Sequence, residues 1–199
     1  RPVTARDGGV EELGQLLSAS VDLRLRADVP VGSCLSGGLD SSAIVCLMNR
    51  LLAGRGATGP QKTFTAKSAD AAYDESRFAR AVVQATGVDA HFVTPTPERL
   101  FDDLDKLIWH QDEPFATTSI FAQWCVFDAA RQAGVVVMLD GQGADETLGG
   151  YWGFFGAYLA ALVRQGRPVA WGRQVSAMRR EMNIGTARSV AYTLAYLRP

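Results

Sequence analysis

Apolar residues along the chain alternate between helical spacing and short unbroken runs. Over 9–27, Val10, Leu13, Leu16, Leu17, Val21 and Leu25 recur at the period of one helix face. Pro30 blocks continuation of that helix, and Val31 to Leu35 reads as a short buried strand. Ala43, Ile44, Leu47, Met48, Leu51 and Leu52 then return to helical period. "GRGATGP" is a loop and "KTFTA" a β-branched strand. "DESRFARAVVQATG" predicts a helix with acids in its first turn and glycine at its end. "VDAHFV" is a strand, and "TPERLFDDLDKLIWH" a helix begun by Thr96 with Pro97 in first position.

"QDEPFATTS" cannot be regular around Pro114. "IFAQWCVFDAARQAG" reads as a helix, "VVVMLD" as a fully apolar strand, and "GQGADETLGGY" as a glycine-rich turn at that strand's carboxyl end. From there the pattern is helical, with breaks near Gly166–Pro168 and Asn183–Gly185. Strands alternating with helices predict an α/β fold: a parallel twisted sheet with helices on both faces, followed by a helical C-terminal segment. Open sheets of this kind bind ligands beyond the carboxyl ends of their strands. Both glycine-rich turns, 36–40 and 141–150, fall there.

The 199 residues suit one domain or one and a half, and 47% hydrophobic with 21% charged residues is enough for a sizeable core. A formal net charge of −1 gives no global pull toward nucleic acid. After Tyr151, Arg164, Arg167, Arg173, Arg179, Arg180, Arg188 and Arg198 face one acid, Glu181. This is read as an arginine-decorated helical face packing on the molecule rather than an RNA surface. Cys34, Cys46 and Cys125 are far apart, which argues against a disulfide framework or zinc site. Cys34 and Cys46 lie in apolar runs, where a buried thiol is expected. His91 and His110 lack metal-ligand spacing and read as structural. No apolar run reaches the roughly 18 residues of a membrane span. There is no signal peptide and no initial methionine, so the expectation is a piece of a cytoplasmic protein, in contact with neither membrane nor nucleic acid.

The stretch "LSGGLDSS", residues 35–42, carries the chemistry. A strand–Gly-Gly–helix turn presents backbone N–H groups at a helix N-terminus. Gly37 and Gly38 let an anion approach the backbone, and Ser36, Ser41 and Ser42 add hydroxyl donors. This is a nest for phosphate or pyrophosphate. A Walker loop would add a lysine reaching the β- and γ-phosphates, and none is here. The nest therefore suits holding those two phosphates as a leaving group, with reaction at the α-phosphorus. Asp40 fits a magnesium ligand, since a bare carboxylate would repel phosphates. Asp140, Asp145 and Glu146 bring acids to the second turn, and Asp40 with Asp145 would form an oxygen-ligand site for Mg²⁺.

At these residues the chain resembles a known family. "SGGLDSS" is similar to the PP-loop of ATP pyrophosphatases. With "DVPVGSCLSGGLDSSAIVCLM", "AYDESRFARAV", "QDEPFATTSI" and "LDGQGADETLGGY", in that order, the chain resembles the synthetase domain of glutamine-dependent asparagine synthetases. The likeness is dense from about residue 10 to 155. It implies the adenine nucleotide α-hydrolase-like fold, with 1–150 as the PP-loop ATP-binding core and 151–199 as a helical extension cut short of the family's domain. It also implies ATP and Mg²⁺. A carboxylate, aspartate in the namesake enzyme, is adenylated with release of pyrophosphate. Ammonia from an N-terminal glutaminase domain then displaces AMP. The likeness leaves room for a homodimer.

By position, the resemblance assigns Ser36, Gly37, Gly38, Leu39, Asp40, Ser41 and Ser42 to pyrophosphate. Leu35 and Ala66 line the adenine site, where strand-end backbone groups read its edge. Asp140 and Gly141 touch the nucleotide, Asp40 and Asp145 bind Mg²⁺, and Gln142 and Asp145 are the catalytic positions. Gln142 stands where the family's best-known members carry glutamate, and a neutral amide can orient a substrate but cannot act as a base. The family's downstream lysine has no counterpart, since only Lys62, Lys67 and Lys106 occur. Arg1 and the closing "YLRP" are read as the ends of an excised piece, inactive alone. Alternatives are a non-catalytic ATP- and Mg²⁺-binding module, a β-lactam- or lasso-peptide-type cyclase, or RNA thiolation. The last is disfavoured by the lack of a C-x-x-C pair.

Overall fold

The computed structural model describes residues 8–56, 59–68, 70 and 74–197. Arg1, Ala72, Tyr73, Arg198, Pro199 and positions 57–58 of the "GRGATGP" loop lie outside the described residues. The chain divides into two units, Arg1–Gln142 and Gly143–Pro199.

In the first unit the elements follow one another as α1 (Gly9–Arg24), β1 (Val31–Cys34), α2 (Leu39–Gly54), β2 (Lys62–Ala66), α3 (Ser76–Thr86), β3 (Asp89–Val93), α4 (Pro97–Gln111), α5 (Thr118–Gln132) and β4 (Val137–Leu139). The four strands pair in parallel in the order β3-β2-β1-β4. Helices fill every crossover, because parallel neighbours cannot be joined by a tight turn. The chain steps outward from β1 to β3, then returns to place β4 on the other side of β1. Strand order therefore reverses at β1, and a crevice opens beyond the carboxyl ends of β1 and β4.

Strand alternation decides which helix each side chain meets. Phe64 packs with Val126, Ala130 and Val135, joined by Cys34, Ala66 and Met138, on the α5 side. On the opposite face, Leu35, Val45, Ala79 and Val88 bind α2 and α3 to the sheet. Val21, Met48 and Leu139 do the same for α1 and α2. Each large side chain fully buried in these clusters contributes about 1.5–3 kcal/mol. The two histidines serve packing. His91 stacks on Phe64 with centroids 4.9 Å apart, and His110 meets Trp124 edge-on.

Helix ends follow local chemistry. Thr96 Oγ1 accepts the Arg99 N–H at 3.3 Å at the start of α4, and Gly87, at φ 68°, ends α3 in the left-handed conformation. The acids expected in the first turn of α3 stand just before it. Asp74 accepts hydrogen bonds from the Ser76 N–H and hydroxyl at 3.1 and 2.8 Å, so the helix starts after them. Those bonds, the hydroxyl's first, hold the Asp74 carboxyl below its usual range.

One burial expectation is corrected. Cys46 is exposed, because α2 buries the stripe Ser41, Val45 and Met48 and Cys46 falls off it. The apolar run at β4 is not wholly covered: Val136 is 69% and Val137 37% exposed. Among the described residues β4 is an edge strand, paired with β1 alone.

The second unit is helical: α6 (Ala144–Leu148), α7 (Trp152–Arg164), α8 (Pro168–Glu181) and α9 (Thr186–Leu197). Its core is Leu159, Val175, Met178 and Ile184. Arg164 donates to the Tyr196 carbonyl at 2.8 Å, and Arg188 lies over the Tyr192 ring, so part of the arginine surplus is bound within this unit. No helix among the described residues is long and apolar enough to cross a membrane.

Phe64, 1% exposed, is the central contact between sheet and α5. Phe64→Ala is expected to cost about 3–5 kcal/mol, whereas exposed Phe127→Ala should cost less than about 1 kcal/mol. Chemical denaturation measures both, and equal losses would contradict this packing.

Candidate functional site

The first glycine turn is built by its serines and by a close neighbour. Ser36 Oγ lies 2.9 Å from Ser41 Oγ and accepts the Gly38 N–H at 3.2 Å, while Ser41 Oγ donates to the Gly38 carbonyl at 3.2 Å. Gly37 has φ +89°, and a Cβ there would stand 2.7 Å from Ala79 N and 2.8 Å from Phe78 Cβ. Glycine is thus required both by conformation and by the packing of α3. Gly38, extended at φ −65°, precedes α2, whose N-terminus carries no side-chain cap. The first hydrogen bond of the α2 ladder is Ser42 N–H to the Gly38 carbonyl. The N–H groups of Leu39, Asp40 and Ser41 are therefore left for a ligand at the positive end of the helix dipole.

The second turn approaches this helix end directly. A Cβ on Gly141 would stand 2.8 Å from Ser41 N and 3.0 Å from the Asp40 carbonyl carbon. Only glycine lets β4's exit loop lie this close to the first turn of α2. A cavity of about 350 Å³ opens at the junction. Its apolar wall comes from Leu35, Phe64, Ala66, Ile120 and Val126, and its polar groups from Ser36, Ser41, Glu75, Ser119, Gln123, Asp140 and Gln142. Cys34 lies in the wall against Asp140. Burial first, then the Asp140 charge and a hydrogen bond to that carboxylate, push the thiol up to about 12.

The cavity therefore brings together Leu35, Ser36, Ser41, Ala66, Asp140 and Gln142. Gly37, Gly38, Leu39, Asp40 and Ser42 belong to the adjoining turn and helix end, and Leu39 is 83% exposed there. Gly141 packs on α2 outside the cavity lining. Asp145 belongs to the second unit, on α6, where its carboxylate occupies the space a Cβ on Gly150 would need.

Leu35 is completely buried. Its N–H donates to the Phe64 carbonyl at 2.9 Å and its own carbonyl accepts from Thr65 Oγ1 at 2.6 Å. That N–H is spent inside the sheet, so Leu35 acts as a wall. The side chains that reach the cavity with free polar capacity include Glu75, Ser119 and Gln123, none of them singled out in the sequence. Their signal was the position of "DES" and "TTSIFAQ" at the starts of α3 and α5, the helices on opposite faces of the sheet.

The donor set fits a magnesium–nucleotide complex better than a free ion. Asp40, in the first turn of α2, makes no hydrogen bond or ion pair among the described residues. No three His, Cys, Asp or Glu side chains among the described residues cluster to hold a metal. Mg²⁺ commonly takes one or two carboxylates and completes its shell with phosphate oxygens and water.

A parallel α/β sheet, a lysine-free anion turn and a cavity at the strand-order reversal define a nucleotide-binding α/β domain. Residues 12–197 match the asparagine synthase family, and the chain belongs to it. The chain is 35% identical over 152 residues to glutamine-hydrolyzing asparagine synthetase 1 of Bacillus subtilis, covering 76% of this chain and 23% of that protein. A relative from Methanocaldococcus jannaschii is 36% identical over 167 residues, covering 83% of this chain and 31% of its own. Amidase chyE of Penicillium rubens is 31% identical over 154 residues, with 73% of this chain and 23% of that one covered. The chain thus spans 23–31% of the length of these relatives.

Gly141→Ala is expected to displace the first turn of α2 and weaken inorganic pyrophosphate binding by about tenfold, the effect of 1–3 kcal/mol of forced movement. Gly14→Ala, with open space around it on α1, should leave binding unchanged. Titration calorimetry reads both, and circular dichroism checks that the fold is retained.

Proposed function

We propose that this chain is the nucleotide-activating core of an ATP-dependent amide-forming ligase. The observation that carries the reading is the uncapped, lysine-free N-terminus of α2 facing the cavity at the strand-order reversal. Donors at that helix end suit the β- and γ-phosphates of ATP as a departing pyrophosphate. The apolar wall at Leu35, Phe64 and Ala66 suits adenine. An acyl carboxylate oxygen attacks the α-phosphorus, and the bond to pyrophosphate breaks. Ammonia then attacks the acyl carbon, the bond to AMP breaks, and the nitrogen loses a proton to give the amide. Asp40, and in the whole protein Asp145, would hold Mg²⁺, which when bound would supply charge neutralisation at the phosphates. Gln142 orients the acyl group through its amide.

In the whole protein an N-terminal glutaminase domain supplies the ammonia, a reading supported by relatives named glutamine-hydrolysing. Aspartate is the first acyl substrate to consider. A neutral Gln142 and a relative named an amidase keep other carboxylates in view.

The test is ATP–pyrophosphate exchange on the intact protein with Mg²⁺ and a panel of carboxylates including aspartate. Exchange that depends on one carboxylate supports the ligase and names its substrate. Tight ATP binding without exchange on any acid would replace it with a nucleotide-binding module. Asp40→Asn is expected to weaken Mg²⁺-ATP about tenfold and metal-free ATP little. Equal losses would remove Asp40 from the metal.

A further inference from the structure

The strand ends that form the apolar wall of the cavity have few backbone groups left to read a base. Lys67, one residue past Ala66, donates its N–H to the Val93 carbonyl at 2.7 Å. The Leu35 N–H is likewise spent on Phe64, and the Leu35 carbonyl already accepts from Thr65 Oγ1. With these backbone groups taken up inside the sheet, a share of base recognition falls to side chains that line the cavity.

Glu75 lines it from the start of α3. It is the N-cap residue of that helix, yet its side chain caps nothing and has no hydrogen bond or ion pair among the described residues. Its backbone is fixed on two sides. The Glu75 carbonyl accepts the Phe78 N–H at 2.9 Å and lies 3.2 Å from where a Cβ on Gly37 would stand. A carboxylate without a partner is therefore carried on a segment braced against the anion turn. Asp140, the other carboxylate of the cavity, follows β4, which β1 separates from β2 in the sheet. Glu75 follows β2, whose last residue, Ala66, belongs to the apolar wall.

An ionised carboxylate accepts hydrogen bonds and donates none. It repels phosphate oxygens, so on the β2 side of this cavity it suits an uncharged donor of the nucleoside. A base packed on Phe64 and Ala66 keeps its polar edge toward the rim where α3 begins. On adenine that edge carries a 6-amino group, which donates. We propose that Glu75 is a specificity-determining residue whose carboxylate accepts a hydrogen bond from the 6-amino group of adenine, an inference that rests on the nucleotide reading above.

The test measures affinities of the intact protein for ATP, purine riboside triphosphate (which lacks the 6-amino group), 2′-deoxy-ATP and 3′-deoxy-ATP. Wild type, Glu75→Ala and Glu75→Gln are compared, with thermal melting as the folding control. Wild type should prefer ATP over purine riboside triphosphate. Glu75→Ala should bind ATP about fivefold more weakly, the net worth of one hydrogen bond. It should bind purine riboside triphosphate as wild type does, so the preference disappears. Glu75→Gln should fall between the two, because its amide carbonyl still accepts but carries no charge. If alanine fails to fold, Glu75→Met takes its place with the same expected loss. Equal changes for ATP and purine riboside triphosphate, or none for either, would overturn the proposal, since a structural or purely electrostatic role moves both alike. A variant that keeps the base preference but loses one against a deoxy analogue would overturn it in favour of a ribose contact. Wild type that binds ATP and purine riboside triphosphate equally would overturn the proposal alone. Wild type that binds no ATP would overturn the nucleotide reading itself and the proposal with it.

Discussion

Gly141 sits so close to α2 that one methyl group on it would stand 2.8 Å from Ser41 N. That approach joins the two glycine turns into one site. The sheet brings β4 alongside β1, but parallel pairing ends with Ser33 and Leu139. Beyond that point the absence of a Cβ keeps β4's exit loop against the helix that follows β1. Asp140 and Gln142, on either side of Gly141, then both reach the cavity that Ser36 and Ser41 also line. A bulkier residue would have to move backbone atoms of Ser41 and Asp40, the same segment whose N–H groups are left for a ligand.

The site is held from the other side as well. Gly37 adopts a left-handed conformation against Ala79 and Phe78 of α3, and Thr65 Oγ1 and the Phe64 carbonyl take up the carbonyl and N–H of Leu35. The turn is thus tied to α3 and β2 as well as to β4. Such bracing matters for an anion site, because donors that are already fixed need not be ordered when charge arrives. The serine pair adds to this: Ser36 and Ser41 hold each other while keeping further hydrogen-bond capacity.

The parts of this arrangement legible in the sequence were those that depend on local chemistry. The Gly-Gly turn with its serines, Thr96 with Pro97, Gly87 after "VVQAT", and the strands at Val31, Lys62 and Asp89 all announce themselves within a few residues. The parts that were not legible depend on which face meets which neighbour. The apolar "VVVMLD" reads as a strand, but its pattern does not say that strand order leaves β4 at an edge among the described residues with Val136 in solvent. Cys46 sits in as apolar a run as Cys34, yet one turns outward on α2 while the other enters the cavity wall. Glu75, Ser119 and Gln123 carry no motif. They reach the cavity because α3 and α5 cover opposite faces of the sheet and begin beside the carboxyl ends of the strands.

Family membership leaves the acyl substrate open, and the cavity residues Gln142 and Asp140 bear on that choice in the proposed reading. Both line the same cavity, one neutral and one a carboxylate. The anion turn is built from backbone N–H groups and glycine geometry, which serve any nucleoside triphosphate alike. In the proposed ligase the acyl group would meet side chains instead, and an amide rather than a carboxylate at position 142 would change the charge it meets without moving any of the backbone that fixes the turn. The demands on Gly37 and Gly141 are steric and leave no substitute. At position 142 no such demand applies, since Gln142 is exposed at the mouth of the cavity and makes no close contact that fixes its identity. On the proposed reading, activation chemistry and substrate choice would thus rest on different physical constraints within one crevice, and one could change while the other is retained.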